Sequence, residues 1–308
     1  MFIINYKKIF ISISVVLVAL SITAIIIFGL KQSIDFKGGA LTEISYLDSR
    51  PDISLLQEKV NALNIGNVLV QPTGEKGYFI KTKDLTEAER ISLFDSFSID
   101  GKFKAEEKSF TSIGPTVGKE LRRKTINSII LVIIAIVLFI AFAFRKVSAN
   151  LSQGIRGISS WRYGIIAIIA LLHDVTIPTG IFALLGKFGG AEIDILFVVG
   201  LLTIMGLSVN DTIVVFDRIR ENIKNHVGEN FAETVGKSIN QTFTRSINTS
   251  LTVIMVLVVL YFFGPVSTKY FALTLTAGMF FGTYSSIFLA SPLLVVLEEW
   301  QRKRKGKK

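Results

Sequence analysis

The sequence predicts an integral membrane α-helical bundle of six transmembrane helices, with one α+β ferredoxin-like extracytoplasmic domain between helices 1 and 2. Three observations predict it. Half of the 308 residues are hydrophobic, and they gather into long runs instead of spreading along the chain. Lys and Arg cluster in the segments that flank those runs, as topology determinants do. One long mixed-charge segment, of a composition suited to a soluble domain, separates the first run from the second.

Composition also excludes several classes. A net charge of +10 suggests a nucleic-acid partner only until the basic residues are located; beside apolar runs they orient helices, so no nucleic acid is expected. The chain has no Cys, which excludes disulfides, thiolate metal sites and thiol nucleophiles. His173 and His226 are far apart in the chain, so no His-based metal cage is expected either. Neither a metal nor another cofactor is assigned.

The first run, Ile9–Leu30, follows Lys7 and Lys8. It is longer than the ~7–15-residue core of a signal peptide and lacks a small-residue cleavage site, so it is read as a retained spanning helix. About 20 apolar residues cross the hydrocarbon layer, and Ile126–Phe144, Gly164–Leu185, Ile193–Phe216, Ile247–Phe263 and Tyr270–Val296 supply the other five. The fifth is the weakest, because its purely apolar part, Val253–Phe263, is short without the polar turn before it. Residues 1–30 thus form the first helix, 31–123 the outer domain, 124–300 a five-helix bundle and 301–308 a basic tail.

Arg145, Lys146, Arg156 and Arg162 precede the third helix, and Arg218, Arg220, Lys224, Lys237 and Arg245 lie between the fourth and fifth. With the tail after Trp300 and the N-terminus they fall on one side, which is therefore cytoplasmic. The connections 186–192 and 264–269 are short and face out. The tail is read as a topology anchor, with acidic membrane lipid or a ribosomal surface as its alternative partner.

In the outer domain Leu41–Leu47, Asn67–Gln71, Gly77–Lys83 and Phe103–Ile113 read as strands. Ile53–Leu63 spaces its apolar residues as a helix face. Thr86 and Glu89 form a capping-box signature that opens a second helix to about Phe97. The order β-α-β-β-α-β is that of a split βαβ module. Two glycine turns bound it: SIDFKGG, with Asp35, Gly38 and Gly39, and IGPTVGKEL, with Gly114, Pro115 and Gly118. Asp35 serves there as a cap or as the partner of Lys37, and the turns look like the hinges of the domain.

The stretch Leu201–Asn222 begins lipid-compatible and ends charged. A carboxylate in its midst, Asp211, is expensive in lipid, by roughly 2.5–3.5 kcal/mol, and so faces a bundle interior or a wet cavity. At about 100° per residue Gly200, Thr203, Asn210 and Asp211 share one face. In the fifth helix Arg245, Asn248, Thr249 and Thr252 form a polar stripe that Gln241 extends. Arg245 lies at a depth comparable to Asp211; it either snorkels or faces inward and couples to Asp211, and the stripe favours coupling. His173 and Asp174 interrupt the third helix; pointing ~100° apart, they are expected to serve different neighbours, as a proton relay or as a pair fixing helix register. Pro178 and Gly180 suggest a kink there. In the last helix Gly278 and Gly282 form a small-xxx-small contact ahead of Thr283, Tyr284, Ser285 and Ser286.

SIDFKGG, IGPTVGKEL, LLHDV, GLSVNDTIVVFDRIREN, QTFTRSINTS and GTYSSIFLASP occur in this order. By these motifs the chain resembles the SecD/SecF family of the resistance–nodulation–division superfamily, over nearly its whole length. NDTIVVFDRIREN is the specific part. The resemblance implies a proton-driven transport subunit, not an enzyme, in the bacterial cytoplasmic (inner) membrane with both termini cytoplasmic. The partners it implies are SecD, the SecYEG channel complex and exported unfolded polypeptide, with YajC as a further candidate. Residue by residue, Asp211 matches the family's membrane carboxylate, Asn210 its neighbour and Arg245 its basic partner. His173 and Asp174 match its third-helix motif. Lys146–Ser160 departs from the pattern as a longer, weakly amphipathic connection. On this reading neutralising Asp211 releases Arg245, and the change passes through the first helix and the glycine turns to the outer domain. A small-molecule or lipid transporter of the same superfamily is the alternative. An intramembrane aspartyl protease built on Asp174 and Asp211 is a second; neither H-E-x-x-H nor G-x-S-x-G occurs.

Overall fold

The computed structural model describes residues 2–144 and 160–305, and within them six helices are long and apolar enough to cross a membrane. All of Lys146–Ser160 but its last residue lies outside the described residues. In chain order the elements are α1 (Lys7–Phe28), β1 (Gly39–Tyr46), α2 (Ile53–Asn61), β2 (Leu69–Thr73), β3 (Gly77–Thr82), α3 (Glu87–Ser96), β4 (Ala105–Ile113), α4 (Pro115–Phe144), α5 (Ser160–Phe188), α6 (Ile195–Lys224), α7 (Phe231–Phe263) and α8 (Lys269–Ser285). A π-helical turn, Ser286–Ala290, joins α8 to α9 (Ser291–Lys305).

The chain divides into two units. The sheet unit comprises Gln32–Asn127 together with Glu192–Ile195. The turn between the third and fourth spans, expected merely to face out, therefore belongs with the sheet. All three strand pairings are antiparallel, in the order β2-β3-β1-β4. Alternation of apolar residues along β1 and β3 sends Ile44, Tyr46, Tyr78 and Ile80 to one face, where α2 and α3 add Leu56, Val60, Leu93 and Phe97 to the core. Each helix starts on a cap that satisfies N–H groups left over at its first turn. Asp52 accepts from the Ser54 N–H at 2.9 Å, and Thr86 and Glu89 close a reciprocal capping box. Bonds from Lys83 and then from Thr86 hold the Glu89 carboxyl down at about 2.

The two glycine turns pack on each other. Gly38 has φ +81, a left-handed conformation that suits glycine, and a Cβ there would lie 2.9 Å from the Pro115 Cα. A Cβ on Gly118 would lie 2.9 Å from the Gly38 nitrogen, and one on Gly39 2.6 Å from the Thr82 carbonyl oxygen. Gly114 is less confined, its nearest neighbour being Asp84. Asp35 does not pair with Lys37; its Oδ2 accepts the Ile195 N–H at 2.9 Å.

In the bundle unit the spans run longer than their apolar runs. The fourth reaches Lys224, and the fifth begins at Phe231, so most of the segment between Arg218 and Arg245, read as a connection, is helix. The third runs unbroken through Pro178, where a kink was expected; spanning helices tolerate proline when their neighbours hold them. Here the neighbour is α1: a Cβ on Gly180 would fall 2.5 Å from the Ser21 Cα. Gly278 and Gly282 likewise admit α6, with Ile204 and Ser208 against them. Such small-residue contacts bring helix backbones close where lipid offers no hydrophobic drive.

Gly180→Ala should therefore force α1 from α5 and destabilise the bundle by about 1–3 kcal/mol, the usual cost of overpacking. Gly206→Ala, at a position with no atom within 4 Å, should be neutral. Thermal unfolding of the detergent-solubilised protein compares the two.

Candidate functional site

α5 and α6 each bring a carboxylate into the bundle. Asp174, on α5, is fully buried, and His173 beside it is 3 % exposed. The His173 Nδ1 lies 2.8 Å from the Asp174 Oδ1, the paired arrangement that is one of the two readings of the sequence, though each residue also meets neighbours of its own. The adjacent carboxylate favours the tautomer that carries its proton on Nδ1. The Asp174 Oδ2 accepts the hydroxyl of Ser208 on α6 and, at 2.7 Å, that of Ser285 at the end of α8. Tyr284 stacks on the His173 ring at 6.1 Å, and the buried His173 Nε2 has no partner among the described residues.

Asp211, ten residues past Leu201 on the same helix as Ser208, is half-buried. Its Oδ1 accepts the Ser246 hydroxyl from α7 at 2.7 Å, and its Oδ2 accepts that of Ser286 at 2.5 Å. Hydroxyls given to a carboxylate make charge-assisted bonds, stronger than neutral ones. Ser285 and Ser286 are neighbours, yet they serve different carboxylates. They stand where α8 passes into the π turn, a local widening of the ladder that often marks functional positions. The Ser291 hydroxyl takes up the Ser286 carbonyl at 2.9 Å.

Asp211 opens onto a cavity of about 110 Å³ whose lining includes Asn210, Arg245, Thr249, Ser250 and Gly282. That is room for several waters beside polar groups. Arg245 is exposed and, among the described residues, makes no ion pair with Asp211, although both line this cavity. The cause is helix phase: at ~100° per residue it is Ser246, one position on, that faces the carboxylate. Asn210, Asn248, Thr249 and Thr252 are exposed as well. Thr249 and Thr252 bond carbonyls of their own helix. The side chains of Asn210, Arg245 and Asn248 have no hydrogen-bond partner among the described residues.

Towards the basic ends of the helices, α6 and α7 are joined by side chains. The buried Asn222 donates to the Ser238 hydroxyl at 2.8 Å and to the Gln241 side-chain Oε1 at 2.7 Å, and the Arg218 Nε also donates to that Oε1. Sequence reasoning missed these contacts and Ser246, and it read Ser285 and Ser286 as packing, not as donors to the carboxylates. The available signal was a pair of adjacent serines in an apolar span that must pass two carboxylates.

The family model described as protein export membrane protein SecD/SecF, C-terminal, matches residues 95–153 and 155–300. The protein translocase subunit SecF of Thermobaculum terrenum is 41% identical over 312 residues, covering 98% of this chain and 94% of that protein. That of Synechocystis is 34% identical, covering 88% and 84%. The protein translocase subunit SecDF of Thermus thermophilus is 33% identical over 95% of this chain, but the match takes in 37% of that longer protein. A crystal structure of Thermus SecDF, described as a translocon-associated membrane protein, matches with a TM-score of 0.81 at 30% identity, over 96% of this chain and 38% of that one. A super-membrane-facing form of SecDF gives 0.68 over 99% and 39%.

The two carboxylates should respond differently to truncation. Asp174→Ala strips a shared acceptor from His173, Ser208 and Ser285, and should cost about 3–5 kcal/mol, as breaking a buried polar pair does. Asp211→Ala opens onto the cavity and should cost about 1–3 kcal/mol, the range for leaving a donor unsatisfied. Thermal stability and membrane abundance of the two variants measure the difference.

Proposed function

The chain belongs to the SecD/SecF family of protein-export membrane proteins, and we propose that it is the SecF-type subunit of the Sec machinery, promoting translocation of exported polypeptides with the proton-motive force. It is a multi-pass membrane protein and a transport subunit. The observation that supports proton coupling is Asp211: a carboxylate inside the bundle, bonded by hydroxyls from two other spans and open on one side to a polar cavity. A proton entering that cavity cancels the charge that makes the Ser246 and Ser286 bonds strong. The fit of α6 against α7 and the π turn then changes. Moving each proton down the membrane potential supplies ~2.3 kcal/mol per 100 mV. Asn210 and Arg245 line the same cavity, and Arg245 gives the deprotonated carboxylate a counter-charge across it. Asp174, sealed among His173, Ser208 and Ser285, fixes helix register; its link to Asp211 through adjacent serines also supports a relay role.

The partner is SecD. SecDF relatives carry both names in one protein, of which this chain matches a little over a third, and the exposed face of Asn210, Arg245, Asn248 and Thr252 is too polar for lipid. A SecD-type half seated there would complete the cavity wall. The SecYEG channel is the larger assembly in which the pair acts, with YajC a further candidate. The sheet unit is read as a ferredoxin-like domain on the outer side of the cytoplasmic membrane. Its β-α-β-β-α-β order supports the first half of that statement. The one-sided Lys and Arg distribution supports the second, and places both termini in the cytoplasm. An aspartyl-protease reading fits poorly, because such a pair shares a proton between adjacent carboxylates. Here each carboxylate has its own serine donors. A small-molecule or lipid transporter would need the same proton site but no protein-conducting channel beside it.

Asp211→Asn keeps shape and removes the titratable group. It should abolish the proton-motive-force stimulation of export in membrane vesicles, while the complex with SecD still co-purifies. Stimulation of normal size in that variant would refute proton coupling at Asp211.

Topology is open to a direct test, since the chain has no cysteine of its own. Single cysteines at Asn225 and Ser267 should react with an impermeant maleimide from opposite faces, Asn225 only in inverted vesicles.

A further inference from the structure

The turn leading into α6 is held by the sheet unit. The Ser33 N–H donates to the Ile193 carbonyl at 2.8 Å, and Gln32 and Ile193 form a parallel bridge. Lys81 and Glu192 form an ion pair at 2.9 Å, with side chains only 20% and 21% exposed. The Asp35 Oδ2 accepts the Ile195 N–H. Ile195 is the first residue of α6, where N–H groups lack intrahelical partners and the helix dipole favours a negative group. Asp35 thus caps this helix from 160 residues away in the chain. It does so from a firm base, the turn in which Gly38 is packed on Pro115 and Gly118.

The other chain links to the sheet unit differ. α1 ends at Gly29, which has φ +65 and nothing within 4 Å of where a Cβ would sit, and glycine is the residue with the most backbone freedom. α4 is a continuous rod, but no acidic residue interrupts its apolar run. α6 alone carries a membrane carboxylate and also has its first residue inside the sheet unit. From Ile195 to Asp211 is ~24 Å of helix at 1.5 Å per residue.

We propose that Asp35, with the Lys81–Glu192 pair, is a latch that makes the outer end of α6 part of the sheet unit. Displacement of α6 at Asp211 then reaches the sheet unit along that helix, not through α1. The latch stays closed while the protein works. Asp35 and Glu192 are positioning residues, and the inference rests on the reading that Asp211 drives the motion.

A Gln32→Cys/Ile193→Cys pair tests it, since bridge partners lie within disulfide range. The full chain with its SecD-type partner is used, in vesicles assayed for export with and without a proton-motive force. The disulfide should form under mild oxidation and leave stimulation at its reduced-state value. Asp35→Ala combined with Glu192→Ala should lower stimulation by about tenfold, in line with loss of a cap and its neighbour, with abundance and unstimulated export unchanged. Asp35→Asn, which retains capping, should restore most of it. Oxidising the cysteine pair in the Asp35→Ala/Glu192→Ala background should also restore it, and reduction should remove it again. Failure of the disulfide to form, loss of stimulation when the otherwise unaltered latch is locked, or full stimulation with the latch removed would each overturn the proposal. Asp211→Asn is run in parallel. If it loses stimulation while latch variants keep it, the latch alone fails; if it keeps stimulation, the proton reading fails and the latch with it.

Discussion

A carboxylate among spanning helices must find its donors within the protein, because lipid has none to give. Much of the bundle follows from that constraint. Asp174 and Asp211 take hydroxyls from Ser208, Ser285, Ser246 and Ser286, and those bonds fix the relative register of α5, α6, α7 and the last span. The glycines of α8 are subordinate to the same end. Gly282 lets α8 lie against Ser208, close enough for the Ser285 hydroxyl to meet the carboxylate that Ser208 also serves. The π turn then allows the next residue in sequence to face the other acid.

The six spans were legible because apolar runs of that length are what a hydrocarbon layer demands of a helix that crosses it. Their lengths were not. Hydropathy registers the part of a helix that lipid covers, and the first four turns of α7, Phe231–Arg245, are amphipathic, with Phe231, Val235 and Ile239 buried among polar residues of the same helix. The acids were legible as charges where charge is costly. Their partners were not, because a serine in a spanning helix most often bonds its own backbone, as Ser250 does with the Ser246 carbonyl. Arg245 shows the limit of depth arguments: counting residues placed it level with the cavity, but a single position of helix phase decides whether it or Ser246 meets Asp211.

In the sheet unit the local signals were strong. Alternation in β3 and the Thr86–Glu89 box are short-range features that a sequence states outright. The bond from Ile195 to Asp35 is the opposite case. Its partners are separated by most of the chain, and nothing near either residue announces the other. Pro178 is a related case, since the helix runs on through it where Gly180, two residues later, packs on Ser21 of another helix.

The polar face of α6 and α7 has a consequence for how the protein is made. A newly inserted chain presents Asn210, Arg245 and Asn248 to lipid before any partner covers them. An arginine at a helix centre costs ~2.5–3.5 kcal/mol, an upper bound for Arg245, which is read in the inner part of the bilayer. On the proposed pairing, a copy without its SecD-type half keeps that cost, so that supply of the two halves is expected to be matched in number and in time. Joining both halves in one polypeptide, as in the SecDF relatives, meets that demand at the ribosome: every copy is synthesised with its cover attached.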